Sequence, residues 1–121
     1  MGSEDKATMT GAWQTVCTTS DLLADGGICV NFQDNQVAIF FAAANNSLYA
    51  IDNYDPIGAA YVLSRGIFGS LGEAVVVASP LYKQHFDLRT GQCLEQPELK
   101  VAVYDVQIVD ESVQLRLPVS S

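Results

Sequence analysis

Ser79-Pro80-Leu81-Tyr82-Lys83-Gln84-His85-Phe86-Asp87-Leu88-Arg89-Thr90-Gly91-Gln92-Cys93 follows directly on the apolar run Ala74-Val75-Val76-Val77-Ala78. The run has the length and β-branched content of a strand buried on, or close to, both faces. Ser-Pro then breaks it, because proline cannot donate to a ladder. Phe86-Asp87-Leu88 resumes an extended pattern, and Thr90-Gly91 marks a further turn. A second stretch has the same character: Asp52-Asn53-Tyr54-Asp55-Pro56-Ile57-Gly58-Ala59-Ala60 sets Pro among small and polar residues between strand-like segments.

Outward from these two loops the chain reads as short strands. Trp13 to Cys17 forms a first strand, and Thr19-Ser20-Asp21 offers capping residues ahead of one helical turn at Leu22-Leu23. Asp25-Gly26-Gly27 is expected to end that turn, with glycine supplying the positive φ. Ile28 to Phe32 and Gln36 to Phe41 flank Gln33-Asp34-Asn35 as a hairpin, and Asn45-Asn46-Ser47 turns the chain into Leu48-Tyr49-Ala50-Ile51. Val101 to Ile108 and Val113 to Leu117 alternate well around an acidic turn at Asp110-Glu111-Ser112. No stretch is periodic enough for a full helix, and no repeat or linker is visible. The expectation is an all-β antiparallel sandwich or barrel of short strands over residues 11–119, with residues 1–10 a flexible lead-in.

The 121 residues suffice for one domain with its own core. Six basic residues against fourteen acidic ones give a net charge of −8, a field that repels phosphate backbones and anionic lipid surfaces. Neither nucleic acid nor a membrane is therefore an expected partner. Cys17, Cys29 and Cys93 are odd in number and widely spaced, so they do not make a disulfide framework. The polar, acidic Met1-Gly2-Ser3-Glu4-Asp5-Lys6 is unlike a secretory signal, and the longest apolar run, Val37 to Ala44, is too short to cross a bilayer. Together these point to a reducing cytoplasm.

The two loops resemble those of the Rieske iron–sulfur family. There the first loop reads Cys-x-His, often with proline in the middle, and the second reads Cys-Pro-x-His. The second continues into Phe-Asp, a hydrophobic residue, a variable residue, Thr or Ser, Gly, a variable residue and Cys. Pro80, Phe86-Asp87-Leu88 and Thr90-Gly91-Gln92-Cys93 follow that pattern, as do Pro56 and Gly58 in the first loop, and the likeness extends from Trp13 onward. It implies a Rieske-type fold with both loops at one tip. The departure lies at the ligands, because a Rieske centre binds one iron through two thiolates and the other through two imidazoles. The corresponding positions here are Asp55 and Ile57 in the first loop and Ser79 and Tyr82 in the second. Ile57 has no donor atom, Ser79 does not ionise near neutrality, the Tyr82 phenol ordinarily titrates near pH ~10, and Asp55 is a hard oxygen where soft sulfur is wanted. No cluster is expected, and hence no cofactor, metal or catalytic residue in this chain.

Other chemistry finds little support. His85, Cys17, Cys29 and Cys93 lack zinc-ligand spacing, and Cys17 and Cys29 read as small buried hydrophobes, with His85 a surface or packed histidine that Cys93 can approach across a hairpin. Ser64 and Ser79 lie in no nucleophile elbow. Asp52 and Asp55 read as turn caps rather than a catalytic carboxylate pair, and Gly26-Gly27 and Gly66-x-x-Gly69 as turns rather than a phosphate loop.

A Rieske outline without ligands resembles one group in particular, the small subunits of assimilatory NAD(P)H-dependent nitrite reductases. The residues that carry this likeness are Asn53-Tyr54-Asp55-Pro56-Ile57-Gly58-Ala59-Ala60-Tyr61-Val62-Leu63-Ser64-Arg65-Gly66 and Ala78 to Phe86, with Trp13 near the start. The resemblance implies a cytoplasmic, non-catalytic subunit. Its large partner subunit would carry FAD, a [4Fe–4S] cluster and sirohaem and reduce nitrite to ammonium in nitrogen assimilation. With no cluster to shield, Pro56, Ile57, Pro80, Leu81, Tyr82 and Lys83 become candidates for the partner contact, or Ile57 and Tyr82 fill the vacated space. Arg65, Lys83 and Arg89, half of the basic residues, lie in or just after the loops. The competing readings are a free-standing binding or regulatory domain and a cluster-bearing ferredoxin-type carrier.

Overall fold

The computed structural model describes residues 12–81 and 83–117, so the lead-in at residues 1–10 and the tyrosine at position 82 lie outside the described residues. The chain is all-β, as expected. Eleven strands follow in order: β1 Gln14–Thr18, β2 Gly26–Phe32, β3 Asn35–Ala42, β4 Ser47–Asp52, β5 Tyr54–Asp55, β6 Ala60–Tyr61, β7 Ile67–Leu71, β8 Ala74–Ala78, β9 His85–Asp87, β10 Val103–Val109 and β11 Ser112–Arg116. A six-stranded sheet has the order β1-β11-β10-β4-β3-β2, a three-stranded sheet the order β7-β8-β9, and β5-β6 form a two-stranded ribbon. No helix of the described residues is long and apolar enough to cross a membrane.

The long apolar run in β3 has a simple cause. Val37 and Ile39 point into one core with Phe32, Ala50, Tyr104, Val113 and Leu115. Ala38 and Phe40, on the alternate positions, point into a second core with Ile51, Leu63, Val77, Phe86, Leu88 and Cys93. A strand buried on both faces loses the polar half of its alternation. The second core lies between the large sheet and the three-stranded one, whose β8 and β9 flank residues 79–84 of the second loop singled out above.

Tight turns fix the registers. Gln33 and Asp34 (φ 50° and 68°) join β2 to β3, and Asp110 and Glu111 (φ 50° and 71°) join β10 to β11. Two central residues at positive φ match the right-handed twist of the strands they connect, as in a type I′ hairpin. The expected strand pairs are all present, but three local readings change. The helical turn is a 3₁₀ turn over Thr19–Asp21 itself, with Leu22 already extended. The positive φ near it belongs to Asp25 (56°), not to a glycine. Gly26 and Gly27 are strand residues, and so is Gly69.

Gly27 is required for space. A Cβ there would lie 2.6 Å from Phe40 Cε2 and 2.7 Å from the Ser64 carbonyl oxygen. The absence of a side chain lets the 3₁₀ turn Leu63–Arg65, which closes the first loop, rest on β2. Gly27→Ala is expected to destabilise the fold by about 1–3 kcal/mol through overpacking against a rigid ring and a backbone carbonyl. Urea unfolding monitored by the fluorescence of Trp13 checks this.

Candidate functional site

The two loops meet at one end of the molecule, and a hydrogen bond between their first ligand-type positions joins them. Ser79 Oγ donates to Asp55 Oδ2 at 2.5 Å. Both residues are buried, Asp55 fully and Ser79 with 2% of its surface exposed. The other carboxylate oxygen, Asp55 Oδ1, accepts the backbone N–H groups of Ile57 (2.8 Å) and Gly58 (3.1 Å). Ser79 Oγ in turn accepts the N–H of Leu81 at 3.2 Å. Backbone bonds close each loop: Ala59 N–H to the Asp55 carbonyl (2.7 Å), Lys83 N–H to the Ser79 carbonyl (3.0 Å), and Ser79 N–H to the Gln84 carbonyl (2.9 Å). Gly58 allows the loops to touch, since a Cβ there would lie 2.5 Å from Leu81 Cδ1.

The first loop is anchored from behind by Asn53, whose role was not apparent from the sequence. Its side chain is 2% exposed. Nδ2 donates to Gln36 Oε1 (3.1 Å) and Cys29 Sγ (3.5 Å), and Oδ1 accepts the Ser64 N–H at 2.6 Å. Its backbone also bonds on both sides, N–H to the Gln36 carbonyl and carbonyl to the Leu63 N–H. One buried amide thus ties the loop's entry to β3 and its exit to the 3₁₀ turn. The only available sequence signal was an asparagine at the end of a strand, which a turn explains equally well.

The other candidates separate. Ile57 is half-buried and packs against the second core, whereas Pro80, Leu81 (46% exposed) and Lys83 face solvent; Pro56 is half-buried. Gln84 Oε1 is the one buried side-chain polar atom without a partner among the described residues. Asp52 shares no bond with Asp55. It lines a separate groove with Asp34, Asn35, Gln36, Tyr54 and Tyr61, and burial pushes its carboxyl above the ordinary range despite backbone hydrogen bonds.

Cys29 is exposed, contrary to its reading as a buried hydrophobe: it shares the face of Ala38 but sits on β2, the edge strand of the large sheet. Cys17 is partly buried against the first core. His85 and Cys93 do approach, but around Glu95. Glu95 Oε2 bonds His85 Nδ1 at 2.6 Å and its Oε1 accepts the His85 N–H at 2.8 Å, while the Cys93 thiol lies 3.8 Å from Oε1. Arg89 does not join the tip: its Nη1 donates to the Glu73 carbonyl at the turn between β7 and β8.

The donor set does not fit a Rieske cluster. The two positions that would supply thiolates hold a carboxylate and a hydroxyl already bonded to each other and to three backbone N–H groups. The described imidazole-type position, Ile57, offers only carbon. Among the described residues no group of three or more His, Cys, Asp or Glu is arranged to hold a metal ion.

Two outcomes follow from this geometry. Asp55→Ala leaves the Ser79 hydroxyl and two N–H groups unpaired in a buried site and is expected to cost about 2–5 kcal/mol, with Asp55→Asn in between and Ser79→Ala near 1–3 kcal/mol. Chemical denaturation of the three variants tests that order. At Glu95, partial desolvation pushes the carboxyl up, but the hydrogen bonds from the His85 N–H and ring, with the ring's charge, outweigh it and hold it below the ordinary value. A carboxyl lowered on folding stabilises the protein above its unfolded-state pKa, and that contribution is lost as pH falls through the folded-state value. Melting temperature should therefore fall on acidification, with Glu95→Gln removing a small, salt-sensitive part of the slope because the pair is solvent-exposed.

Comparison with known proteins is consistent with this fold. The family model for the Rieske-like [2Fe-2S] domain matches residues 12–116. The nitrite reductase (NADH) small subunit of Salmonella typhimurium is 41% identical over 104 residues, 86% of this chain and 96% of that protein. The NMR structure of the Escherichia coli protein NirD superposes with a TM-score of 0.79 at 39% identity, covering 87% of this chain and 96% of that one. A stretch of the nitrite reductase [NAD(P)H] large subunit of Klebsiella oxytoca is also 35% identical over 101 residues, 84% of this chain and 10% of that protein. The Rieske-type architecture, the matched domain and these identities place the chain in the family of nitrite reductase (NADH) small subunits.

Proposed function

We propose that this chain is the small, cluster-free subunit of a cytoplasmic NAD(P)H-dependent nitrite reductase that reduces nitrite to ammonium in nitrogen assimilation. The large subunit would carry FAD, a [4Fe–4S] cluster and sirohaem, and all of the redox chemistry. This chain would bind and position. The observation that carries the reading is the Asp55–Ser79 bond: the tip is held by its own side chains and presents a fixed protein surface where a Rieske domain presents a redox centre. The Klebsiella oxytoca large subunit supports the partnership, since about a tenth of its length is similar to this chain. A domain that occurs within a large-subunit polypeptide is suited to working beside one.

The docking face is assigned to the exposed part of the tip, Pro80, Leu81 and Lys83, with Pro56 at its margin. The tyrosine at position 82 belongs to the same loop and is the aromatic anchor of the proposal. Ile57, packed inward, supports the loop from below.

Co-expression of the large subunit with and without this chain, followed by an assay of NAD(P)H-dependent nitrite reduction, tests the assignment. Activity or assembly is expected to drop several-fold without the chain. A large subunit that assembles and turns over identically alone would show that the role is wrong.

A further inference from the structure

The three-stranded sheet has one open side. In the order β7-β8-β9, the far edge of β9 is occupied: Phe86 bridges to Cys93, the Leu94 N–H bonds the His85 carbonyl, and the Asp87 N–H bonds the Gln92 carbonyl. β7 has no such cover. Leu71 and Ala74 flank the two-residue turn Gly72-Glu73, so they form a hydrogen-bonded pair, and the alternation places Gly69 and Ile67 in bonded pairs as well. The backbone N–H and C=O of Phe68 and Ser70 therefore point away from β8. The Val75 carbonyl, opposite Ser70, follows the same rule on its own strand and accepts from the Leu88 N–H on the β9 side. Among the described residues no other strand pairs with β7.

Proteins protect such edges with charge, proline or a bulge. Ile67-Phe68-Gly69-Ser70-Leu71 has none of these: it carries no charged residue and no proline, and its register with β8 is unbroken. By contrast β1 carries an irregularity between Thr15 and Cys17. Ile67 is 75% exposed and Leu71 45%, so the open edge also carries bare apolar side chains.

At its Ile67 end the strand runs into a groove of about 440 Å³ lined by Arg65, Ile67, Ala78, Ser79, Pro80, Lys83 and His85. The His85 ring is engaged by Glu95. Arg65 and Lys83 have no carboxylate partner among the described residues, although the chain holds fourteen acidic residues against six basic ones. Two cations in one groove, without a carboxylate partner among the described residues and next to an uncovered apolar edge, call for an occupant that is extended, partly apolar and carboxylate-bearing. A second copy of this chain would bring another net charge of −8 against the first.

We propose that the outer edge of β7 and the adjoining Arg65–Lys83 groove form one docking strip, onto which an extended, carboxylate-bearing segment of the large subunit adds as a further strand. The backbone groups of Phe68 and Ser70 supply the ladder, Ile67 and Leu71 the apolar contact, and Arg65 and Lys83 the register through charge pairing. This rests on the large-subunit partnership proposed above and extends the docking face from the loops along a whole strand.

The test measures binding of the full chain to the purified large subunit. Arg65→Glu with Lys83→Glu, and separately Ser70→Pro, which removes an outward N–H, are each expected to weaken binding about tenfold or more. Melting curves establish that the variants are folded. Amide hydrogen exchange on the unaltered protein gives a readout independent of any variant: Phe68 and Ser70 should exchange freely in the isolated chain and become protected in the complex. If the unaltered chain does not bind the large subunit, the partnership itself fails, and the strip with it. If it binds while folded variants bind equally and Phe68 and Ser70 stay unprotected, the strip alone is wrong. A stable homodimer that protects the same two amides also overturns it.

Discussion

The hydrogen bond between Ser79 and Asp55 joins the two loops that resemble the ligand loops of a Rieske domain. In a Rieske centre the two thiolates share one iron. With one Cys and one His contributed by each loop, as in the motifs the chain resembles, the cluster cross-links the loops. Here the residues at the two thiolate positions reach each other directly, at 2.5 Å and out of contact with water. Their remaining lone pairs take up the N–H groups of Ile57, Gly58 and Leu81, which would otherwise be orphaned donors in a tight, buried turn. A loop pair cannot be left half-satisfied in a low-dielectric site, because each unmade bond costs about 1–3 kcal/mol. The Asp55–Ser79 pair meets that demand for both loops.

A thiolate–imidazole set holds a redox-active centre, whereas here a carboxylate and a hydroxyl bond each other and the loop backbone. Ile57 packs against the second core and Asn53 holds the first loop from behind, so the tip combines the loop ends of the three-stranded sheet and the β5-β6 ribbon. Beside it lie Arg65 and Lys83, which have no carboxylate partner among the described residues of an acidic protein.

Much of this was legible in the sequence, for identifiable reasons. Strand positions followed from β-branched runs and turn residues, and the hairpin at Gln33-Asp34 was marked by polar residues between two segments rich in β-branched and aromatic residues. The ligand positions could be read because the flanking Phe86-Asp87-Leu88 and Thr90-Gly91-Gln92-Cys93 fix the alignment of the second loop. What could not be read was pairing in space. Asp55 read as a turn cap, and it does cap its loop, but nothing in one dimension indicates that its second oxygen meets Ser79, twenty-four positions on. Asn53 had the same ambiguity. Glycine was misread where its role is close approach rather than positive φ: Gly27 makes room for Phe40 and Ser64, while the left-handed residue nearby is Asp25. Cys29 was assigned to the core by residue type, although it falls on the edge strand of the large sheet and is exposed. Arg89 was grouped with the tip by sequence proximity, although the turn after β9 directs it to Glu73.

The claim that a hydrogen bond has replaced a cluster can be tested by analysing the metal content of the protein itself. The chain, purified without oxygen from cells supplied with iron and sulfide, should contain no stoichiometric iron or acid-labile sulfide and show no visible absorption. A red-brown protein with two irons and two sulfides per chain would mean that the loops open to take up a cluster, and that the Asp55–Ser79 bond is not what holds the tip.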